Sequence, residues 1–513
     1  MLTPDSPLSQ ISPLYRRLAA CVLLASLLWL ILSTWSWPFV GDAAYIHYIA
    51  FLIHHGLHPY RDIVDMNMPG TYLAEQLVLA TLGPTALAWR LFDLLLMAAL
   101  TAASLYLLAE EGLLAGLFAA TLFITIHAQD GVQMLAERDL QVAVALVCSL
   151  ALLTAIHRKQ PSNQSLAAIL AIASGLCSAA AISIKPTAAL TVLALAAWLL
   201  WPSRRIVACA AFSLSTLAFL LIPIFWLAHE KSLQAFLTNL TTLVRYHASL
   251  DPRPLTYLLP HSVSPILVLV ALWLVLRILI ASQKPSSILQ PTSQADTAAL
   301  ILCALTALLS YLLQRKGFSY QRYPFLIFLI LLVTRDLFRR PTTRLQQALA
   351  AATIATGLIL TISFTHRAST FSHAPANQQL IADLADLTAH GTTRIQCMDT
   401  AGPCIASLYQ ARLVQSTGFL YDCYFLDPAN PVAQSLRQRF FTALAAAPPE
   451  AIIVTDSVCY TQPRSFSKYA RWPEFERYLA AHYTLATERT NLSAEHYWSR
   501  TTTPFDYRIY LRR

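Results

Sequence analysis

Asp42 follows the first long apolar run of the sequence, and Asp65 lies in the polar stretch that separates this run from the second one. A carboxylate at the rim of a bilayer loses part of its hydration, so it is retained where a cation or a reaction offsets that cost. A carboxylate held in this way is suited to act as a general base for an attacking hydroxyl group. We therefore predict Asp42 as the catalytic base and Asp65 as a second catalytic candidate.

Several cations are predicted to lie on the same side of the membrane as Asp42. Cations at the headgroup level are suited to bind a phosphate group, and basic residues on the outer side run against the usual excess of positive charge inside. The candidate phosphate ligands are Arg138, Lys185, Arg315, Lys316 and Arg322. The residues expected to complete the substrate pocket are Tyr45, Asp62, Asn67, Glu137, His247 and Tyr320.

These candidates also have structural interpretations. Asp42 precedes a predicted helix, where aspartate is a preferred N-cap, and Asp65 and Asn67 are common turn formers. Lys185 could extend along apolar surface to reach the lipid headgroups, and Arg315 could bind anionic lipids. The sequence alone leaves both interpretations open.

No cofactor is predicted. His54 and His58 have the i,i+4 spacing of helical metal ligands, but Gly56 and Pro59 should interrupt the helix that this spacing needs, so a divalent metal is disfavoured. The sequence contains no Gly-x-x-x-x-Gly-Lys or Gly-x-Gly-x-x-Gly segment, which disfavours a nucleotide-sugar donor. The net charge of +9 reflects basic residues in predicted cytoplasmic loops, so no nucleic-acid partner is expected.

The composition is that of a polytopic membrane protein. Of the 513 residues, 56% are hydrophobic and only 12% are charged, whereas soluble domains carry about 25% charged residues. Apolar runs close to the roughly 20 residues that a bilayer requires recur about eleven times. We predict about eleven transmembrane helices, near 18–35, 86–108, 112–128, 140–156, 166–184, 187–201, 206–228, 263–280, 298–313, 317–334 and 346–364.

The charge distribution predicts an orientation in a bacterial inner membrane. The first apolar run follows Arg16 and Arg17 without a cleavage pattern, so it should remain as a signal anchor. A cytoplasmic N-terminus then places the basic loops near 158, 204, 284 and 335–344 inside. We expect a transmembrane domain over 1–365, with a first external loop at 38–85.

Residues 366–513 are expected to form an exported α/β domain on the periplasmic side. Strand-like segments at 451–455 and 507–511 alternate with helical patterns at 376–389 and 473–482. An even set of cysteines in an exported domain indicates two disulfides. The preferred pairing among three alternatives is Cys397 with Cys404 and Cys423 with Cys459.

The polar loop carries a family resemblance. The segment 56–69, Gly-Leu-His-Pro-Tyr-Arg-Asp-Ile-Val-Asp-Met-Asn-Met-Pro, together with Asp42 directly after the first span, resembles the first external loop of GT-C membrane glycosyltransferases. The resemblance is specifically to the superfamily of protein O-mannosyltransferases and lipid A aminoarabinose transferases. It extends to segments 314–324 and 184–186. The family often has a second acid after the first, where this chain has Ala43.

The resemblance implies transfer of a sugar, with inversion, from a polyprenyl-phosphate donor to an extracytoplasmic acceptor such as a glycan, lipid or protein. One alternative is a polysaccharide ligase or polymerase that uses a pyrophosphate carrier. Another is a transporter or flippase of lipid-linked sugar, although few ionisable residues lie in the central parts of the predicted spans. A third is a non-enzymatic assembly partner.

Overall fold

The computed structural model describes residues 13–37, 41–159, 164–201, 205–282, 291–339, 341–371, 377–400, 403–458, 465–495 and 502–513. A helical membrane region precedes a smaller domain that contains a sheet. The helices of the membrane region are α1 (Pro13–Thr34), α2 (Gly41–His54), α3 (Pro69–Leu82), α4 (Ala86–Leu107), α5 (Leu113–Gln129), α6 (Arg138–Lys159), α7 (Gln164–Ile184), α8 (Ala189–Leu200), α9 (Ile206–His229), α10 (Leu233–Asn239), α11 (Arg245–Ser249), α12 (Leu255–Val263), α13 (Leu267–Ala281), α14 (Pro291–Gln314), α15 (Tyr323–Arg339) and α16 (Arg344–Ser369).

Eight helical segments in the described part of the chain are long and apolar enough to cross a bilayer. They are α1, α4, α6, α7, α9, α12 with α13, α14 and α16. Their outer faces remain apolar: in α9, for example, Val207 is 82% exposed and Phe225 is 67% exposed. Exposed apolar surface of this extent requires a lipid environment. The polytopic helical fold predicted from the composition is therefore confirmed.

Three further apolar helical segments lie where the sequence predicted spans. Leu113–Gln129 and Pro186–Leu200 are shorter than the eight long ones, and α15 is buried from Tyr323 to Phe338. A helix of 17 residues extends about 25 Å, which is less than the roughly 30 Å of a bilayer core. The count of eleven spans therefore stays a prediction.

Charged side chains gather where the ends of several helices meet. Arg158 of α6 pairs with Asp296 of α14 at 2.8 Å, and Arg335 of α15 pairs with Glu111 at 3.2 Å. These pairs join the helix ends that the sequence predicted to be cytoplasmic. The opposite ends carry the loop with α2 and α3 and the connection to the C-terminal domain.

The first external loop is more helical than the sequence predicted. α2 ends at His54, and Gly56 adopts a φ of +91°, as expected for a helix stop. Residues 43–52 of α2 are all buried, with α18 and α3 packed against this helix, so protein covers its apolar face. Its predicted position at the membrane interface stays a prediction. α3 was not predicted, although Pro69 at its first position is a recognised start signal.

The C-terminal domain confirms the predicted small α/β domain. Its helices are α17 (Gln378–Ala389), α18 (Pro403–Gln410), α19 (Cys423–Leu426), α20 (Ala433–Ala446) and α21 (Pro473–His482), and its strands are β1 (Ile395–Met398), β2 (Ala451–Thr455), β3 (Tyr483–Glu495) and β4 (Thr502–Arg512). The strand order is β1-β2-β4-β3, with β1 and β2 parallel and the other pairs antiparallel. β1 and β2 are buried along their whole length, in keeping with their mainly apolar sequences, in which Gln396 and Thr455 are the polar residues.

A disulfide joins Cys397 of β1 to Cys404 of α18, with a Cα–Cα distance of 6.0 Å. This is the pairing that the sequence analysis preferred. Cys423 is also disulfide-bonded. Its predicted partner, Cys459, lies outside the described residues.

The C-terminal domain is joined to α2 and its loop by hydrogen bonds. The Tyr48 hydroxyl donates to the Leu413 carbonyl at 2.8 Å and accepts from the Gln415 amide at 2.8 Å. The Val64 amide donates to the Gly418 carbonyl at 3.0 Å. A Cβ at Gly418 would collide with the Asp62 carbonyl, so glycine permits this close approach. The domain therefore forms a cover over the first external loop.

The orientation of the chain is testable with alkaline phosphatase fusions, because this reporter is active only after export. We expect a fusion at Arg513 to be active and a fusion after Ser282, which follows α13, to be inactive. Enzyme activity normalised to fusion-protein level is the measurement. The reverse pattern would place the loop that carries Asp42 in the cytoplasm.

Candidate active site

Four parts of the chain meet around the most distinctive polar cluster. Asp42 lies in the first turn of α2, Asn67 lies in the segment before α3, and Glu137 and Arg138 lie where α6 begins. Tyr320 lies in the short 3₁₀ segment Ser319–Arg322 before α15. These residues are far apart in sequence, and the helix ends bring them together.

Arg138 is the centre of this cluster. Its Nη2 lies 3.8 Å from Asp42 Oδ2 and its Nε lies 3.5 Å from Glu137 Oε1. Its Nη1 donates a hydrogen bond to the side-chain carbonyl of Asn67. The two contacts with carboxylates are longer than the 2.7–2.9 Å of a strong charged hydrogen bond. The guanidinium is thus held in place while much of its donor capacity remains unused.

Asp65 lies next to Asn67 and accepts several hydrogen bonds through one of its carboxylate oxygens. Its Oδ2 accepts from the Asn67 amide at 2.9 Å, from Asn67 Nδ2 at 2.7 Å and from the Tyr72 hydroxyl. Asp65 is 2% exposed. A buried carboxylate with these partners orients Asn67, and through it Arg138, so the environment favours a positioning role for Asp65.

Asp42 differs from the other acids in its exposure. Its side chain is 45% exposed, whereas that of Glu137 is 1% exposed. Tyr45, one turn further along α2, is buried, and burial together with the nearby Asp65 and Asp42 raises the pKa of its hydroxyl well above 10. Among the acids that surround Arg138, Asp42 is therefore the one that an approaching substrate can reach.

A second polar network fixes the backbone that leads into α6. Ala136 adopts a φ of +53°, which is uncommon for a residue other than glycine. Its amide donates to Asp93 Oδ1 at 2.9 Å, and Asp93 also contacts Arg90 at 2.8 Å and His127 at 3.2 Å. This buried network in α4 and α5 holds the turn that directs Arg138 toward Asp42.

Lys185 lies next to the cluster but has its own partner. It follows α7, and its ammonium group donates to Asp139 of α6. The Lys185 side chain is 20% exposed, whereas that of Asp139 is 3% exposed. The cavity beside this pair has a volume of about 10 Å³. A phosphate ligand would therefore approach Lys185 from its exposed side.

Arg322 is buried among structural partners. Its Nη2 lies 3.2 Å from Asp130 Oδ1, and its Nη1 donates to the His261 carbonyl at 3.0 Å and to Ser264 Oγ at 2.8 Å. Arg322 is 3% exposed. These contacts join the end of α5 to α12, which is the environment of a structural arginine.

Lys316 and Arg315 have different surroundings: Lys316 binds backbone carbonyl groups, and Arg315 is exposed. The Lys316 ammonium donates to the carbonyls of His247 and Leu250, at the end of α11, where a cation also complements the helix dipole. Burial, with help from Lys316 and Arg138, lowers the pKa of His247 to about 4. Arg315 is exposed and has a φ of +55°.

Asp62 and the histidines of the loop also have structural contacts. Asp62 pairs with Arg61 at 3.0 Å and accepts from the His58 amide at 2.9 Å. It faces the C-terminal domain, where it lines a large cleft. His58 Nδ1 contacts Glu230 at 2.9 Å. Among the described residues, no group of three or more metal-binding side chains occurs.

Sequence reasoning missed three residues that shape this region. Asp130 and Asp93 are buried acids that anchor Arg322 and Ala136, and Tyr72 bonds to Asp65. An available signal was the placement of Asp130 directly before Gly131, at the end of an apolar run that faces the same side as Asp42. Asp93 also had a signal, because it lies within the predicted span 86–108, where an ionisable residue is unusual. Tyr72 had no comparable signal.

The buried Glu137 predicts a pH dependence of stability. Burial raises the pKa of Glu137 to about 7, although Arg138 opposes the shift, whereas an unfolded glutamate titrates near 4.3. The folded state therefore binds the proton more tightly, and this contribution to stability is lost as pH rises from about 4.3 through about 7. The thermal unfolding midpoint of the parent should therefore fall as the pH rises over this window. We expect a smaller fall for Glu137→Gln.

The matched control is Glu474→Gln, which replaces an exposed glutamate of α21. Both variants and the parent are compared in the same detergent between pH 4.5 and 8. Parallel curves for the parent and Glu137→Gln would contradict the assigned proton uptake.

The sequence matches no protein-family model and no curated protein sequence. Solved structures do match it. The structure of ArnT from Cupriavidus metallidurans bound to undecaprenyl phosphate is 12% identical, with a TM-score of 0.60 and coverage of 96% of this chain and 97% of that chain. The archaeal oligosaccharyltransferase AglB from Archaeoglobus fulgidus, in complex with an inhibitory peptide and a dolichol-phosphate, is 11% identical, with a TM-score of 0.53 and coverage of 96% and 74%.

These two proteins are GT-C glycosyltransferases. At such low identity the likeness concerns the fold, and it extends over nearly the whole of this chain, including the C-terminal domain. The resemblance that the first external loop predicted is confirmed at this level, and the chain has the GT-C fold.

Proposed function

We propose that this protein transfers a sugar from a polyprenyl-phosphate donor to an acceptor on the outer side of the membrane, with inversion at the anomeric carbon. The observation that carries the proposal is the half-exposed Asp42 beside the partly engaged guanidinium of Arg138. An exposed carboxylate and a cation in one cluster suit the two partners of this reaction, an acceptor hydroxyl and a phosphate leaving group. The fold supports the same reaction class.

Asp42 is the general base in this proposal. It accepts the proton of the acceptor hydroxyl while that oxygen attacks the anomeric carbon. Glu137 is unsuited to this role, because its side chain is 1% exposed and burial favours its protonated form. Asp65 is likewise enclosed by its hydrogen bonds, so it acts by orienting Asn67.

Arg138 and Lys185 are the proposed ligands of the donor phosphate. As the bond from the anomeric carbon to the phosphate oxygen breaks, negative charge develops on that oxygen and is stabilised by fixed cations. Arg138 has donor capacity beyond its long contacts with Asp42 and Glu137. Arg322 and Lys316 are left out of this role because backbone and carboxylate partners occupy them.

ArnT and AglB were solved with undecaprenyl phosphate and a dolichol-phosphate, respectively. Both lipids are polyprenyl monophosphates, and this agreement favours such a carrier here. The main alternative, a ligase or polymerase with a pyrophosphate carrier, would bring a second phosphate and would require more cations. A comparison of monophosphate-linked and pyrophosphate-linked donors on the purified protein separates these activities.

Replacement of the base tests the mechanism. Asp42→Asn keeps the size of the side chain but cannot accept the proton, so we expect glycosyl transfer to fall by about 10²-fold or more. Transfer from a polyprenyl-phosphate sugar by the purified variant is the measurement, and an unchanged thermal unfolding midpoint establishes that the variant is folded. Asp386→Asn, at an exposed position of α17, is the matched control. Transfer at the parent rate by Asp42→Asn would refute the assignment.

The role of Lys185 in donor binding requires a paired substitution. Lys185→Ala alone would leave the buried Asp139 carboxylate without its partner, a loss of about 3–5 kcal/mol for a buried pair. The double variant Lys185→Met with Asp139→Asn removes both charges and preserves burial. If Lys185 binds the phosphate, the KM for the donor should rise about tenfold or more even in this variant. A normal donor KM would reduce Lys185 to a structural partner of Asp139.

A further inference from the structure

A large cavity, which neither Asp42 nor Arg138 lines, lies between the first external loop and the C-terminal domain. It has a volume of about 1070 Å³ and is hereafter called the domain cleft. Its walls are formed by residues 57–62 of the loop, the segment 412–419, residues 393–394 and one face of α20. Pockets for small ligands usually reach at most about 1,000 Å³. The domain cleft therefore has room for an oligomeric ligand, such as a chain of several units.

Positive charge is in excess in the domain cleft. Four arginines line it, Arg61, Arg394, Arg412 and Arg439, against a single acid, Asp62. Asp62 pairs with Arg61, and Glu450 outside the lining pairs with Arg394 at 3.0 Å. Subtraction of these two acids from the four arginines leaves two positive charges. Arg412 is exposed, and none of its side-chain atoms has a hydrogen bond or ion pair among the described residues.

The face of α20 that lines the cleft carries polar side chains together with small apolar ones. Its apolar positions, such as Leu436 and Phe440, are buried in the domain core. The positions toward the cleft follow the helical spacing i, i+3, i+4, i+7 and i+8, and they are Ser435, Gln438, Arg439, Thr442 and Ala443. Amide and hydroxyl side chains of this kind match the hydroxyl groups of a saccharide.

The opposite wall offers no open strand edge for a peptide. The Ser416 amide donates to the Ile395 carbonyl at 2.9 Å on one side of the segment, and the Gly418 carbonyl accepts from the Val64 amide at 3.0 Å on the other. A peptide that binds by strand addition needs unpaired backbone groups. The Phe419 ring is covered by Arg439, whose guanidinium lies 5.7 Å from the ring centroid.

We propose that the domain cleft binds an anionic saccharide chain, recognised through its carboxylate or phosphate groups. On the proposed function, on which this assignment of the ligand rests, the chain is the glycan acceptor. The arginines of the cleft hold its charged residues while a hydroxyl group elsewhere on the chain reaches Asp42. The exported domain thereby selects the acceptor, and the membrane region binds the donor.

Binding of a labelled hexagalacturonate to the full-length protein in detergent, without donor, tests this proposal. Arg412→Glu and Gln438→Glu each add negative charge to the cleft, and both side chains are exposed. We expect each to weaken binding by about tenfold. Arg477→Glu, at an exposed position of α21 outside the cleft, should bind like the parent.

Maltohexaose, which is neutral, and an oligoglutamate peptide of equal charge serve as competing ligands. Displacement of the probe by unlabelled hexagalacturonate and not by maltohexaose supports the proposal. No binding of the probe, equal binding by all four proteins, or stronger displacement by oligoglutamate would overturn it. A phosphorylated hexasaccharide in the same assay distinguishes recognition of phosphate from recognition of carboxylate.

This experiment is independent of the test of catalysis. Asp42→Asn should bind the hexagalacturonate probe as the parent does, because Asp42 does not line the cleft. Normal transfer by Asp42→Asn with specific binding in the cleft would refute the catalytic proposal alone. Loss of transfer by Asp42→Asn without binding in the cleft would refute the saccharide proposal alone.

Discussion

Arg138 sets the main constraint on this structure, because a cation at the beginning of a helix opposes the favourable direction of the helix dipole. The partly buried guanidinium is stabilised by Asp42, Glu137 and Asn67, which come from α2, the start of α6 and the loop before α3. Asn67 is held in turn by hydrogen bonds to Asp65. The external loop is therefore organised around the position of one positive charge.

The C-terminal domain completes this arrangement by covering α2. Tyr48 bonds to the segment 413–415, and Trp89 at the start of α4 donates to the Tyr409 hydroxyl at 3.0 Å. Exclusion of water from the loop strengthens the charged contacts around Arg138. The domain is thus part of the environment in which Asp42 and Arg138 would act, and it also forms one wall of the domain cleft.

Local patterns in the sequence predicted the apolar helices, the small α/β domain and the fold resemblance. The lengths of the hydrophobic runs predicted the helices, and Gly56 predicted the end of α2. The burial of α2 was not predictable, because an amphipathic segment has the same appearance whether lipid or protein covers it. The domain that covers it follows more than 300 residues later in the chain.

The prediction of the candidate site had a similar limit. Alternation of the spans placed Arg138, Lys185 and Arg322 on one side of the membrane, but it could not tell which of them already had partners. Arg322 donates to Asp130, Ser264 and a carbonyl group, whereas Arg138 makes only long contacts with its acids. Whether the N–H groups of a cation already have hydrogen-bond partners depends on three-dimensional contacts. This property distinguishes a structural cation from one that can bind a phosphate.

The same criterion applies to the C-terminal domain. Arg394 is engaged by Glu450, and Arg61 is engaged by Asp62, yet Arg412 extends from a residue with a φ of +56° into the domain cleft. The left-handed backbone at Arg412 carries a cost of its own, whereas its exposed guanidinium is hydrated and has no ion-pair partner among the described residues. The donor capacity left unused at Arg138 and at Arg412 is therefore the basis of both proposals, a donor phosphate at the first and an anionic saccharide at the second.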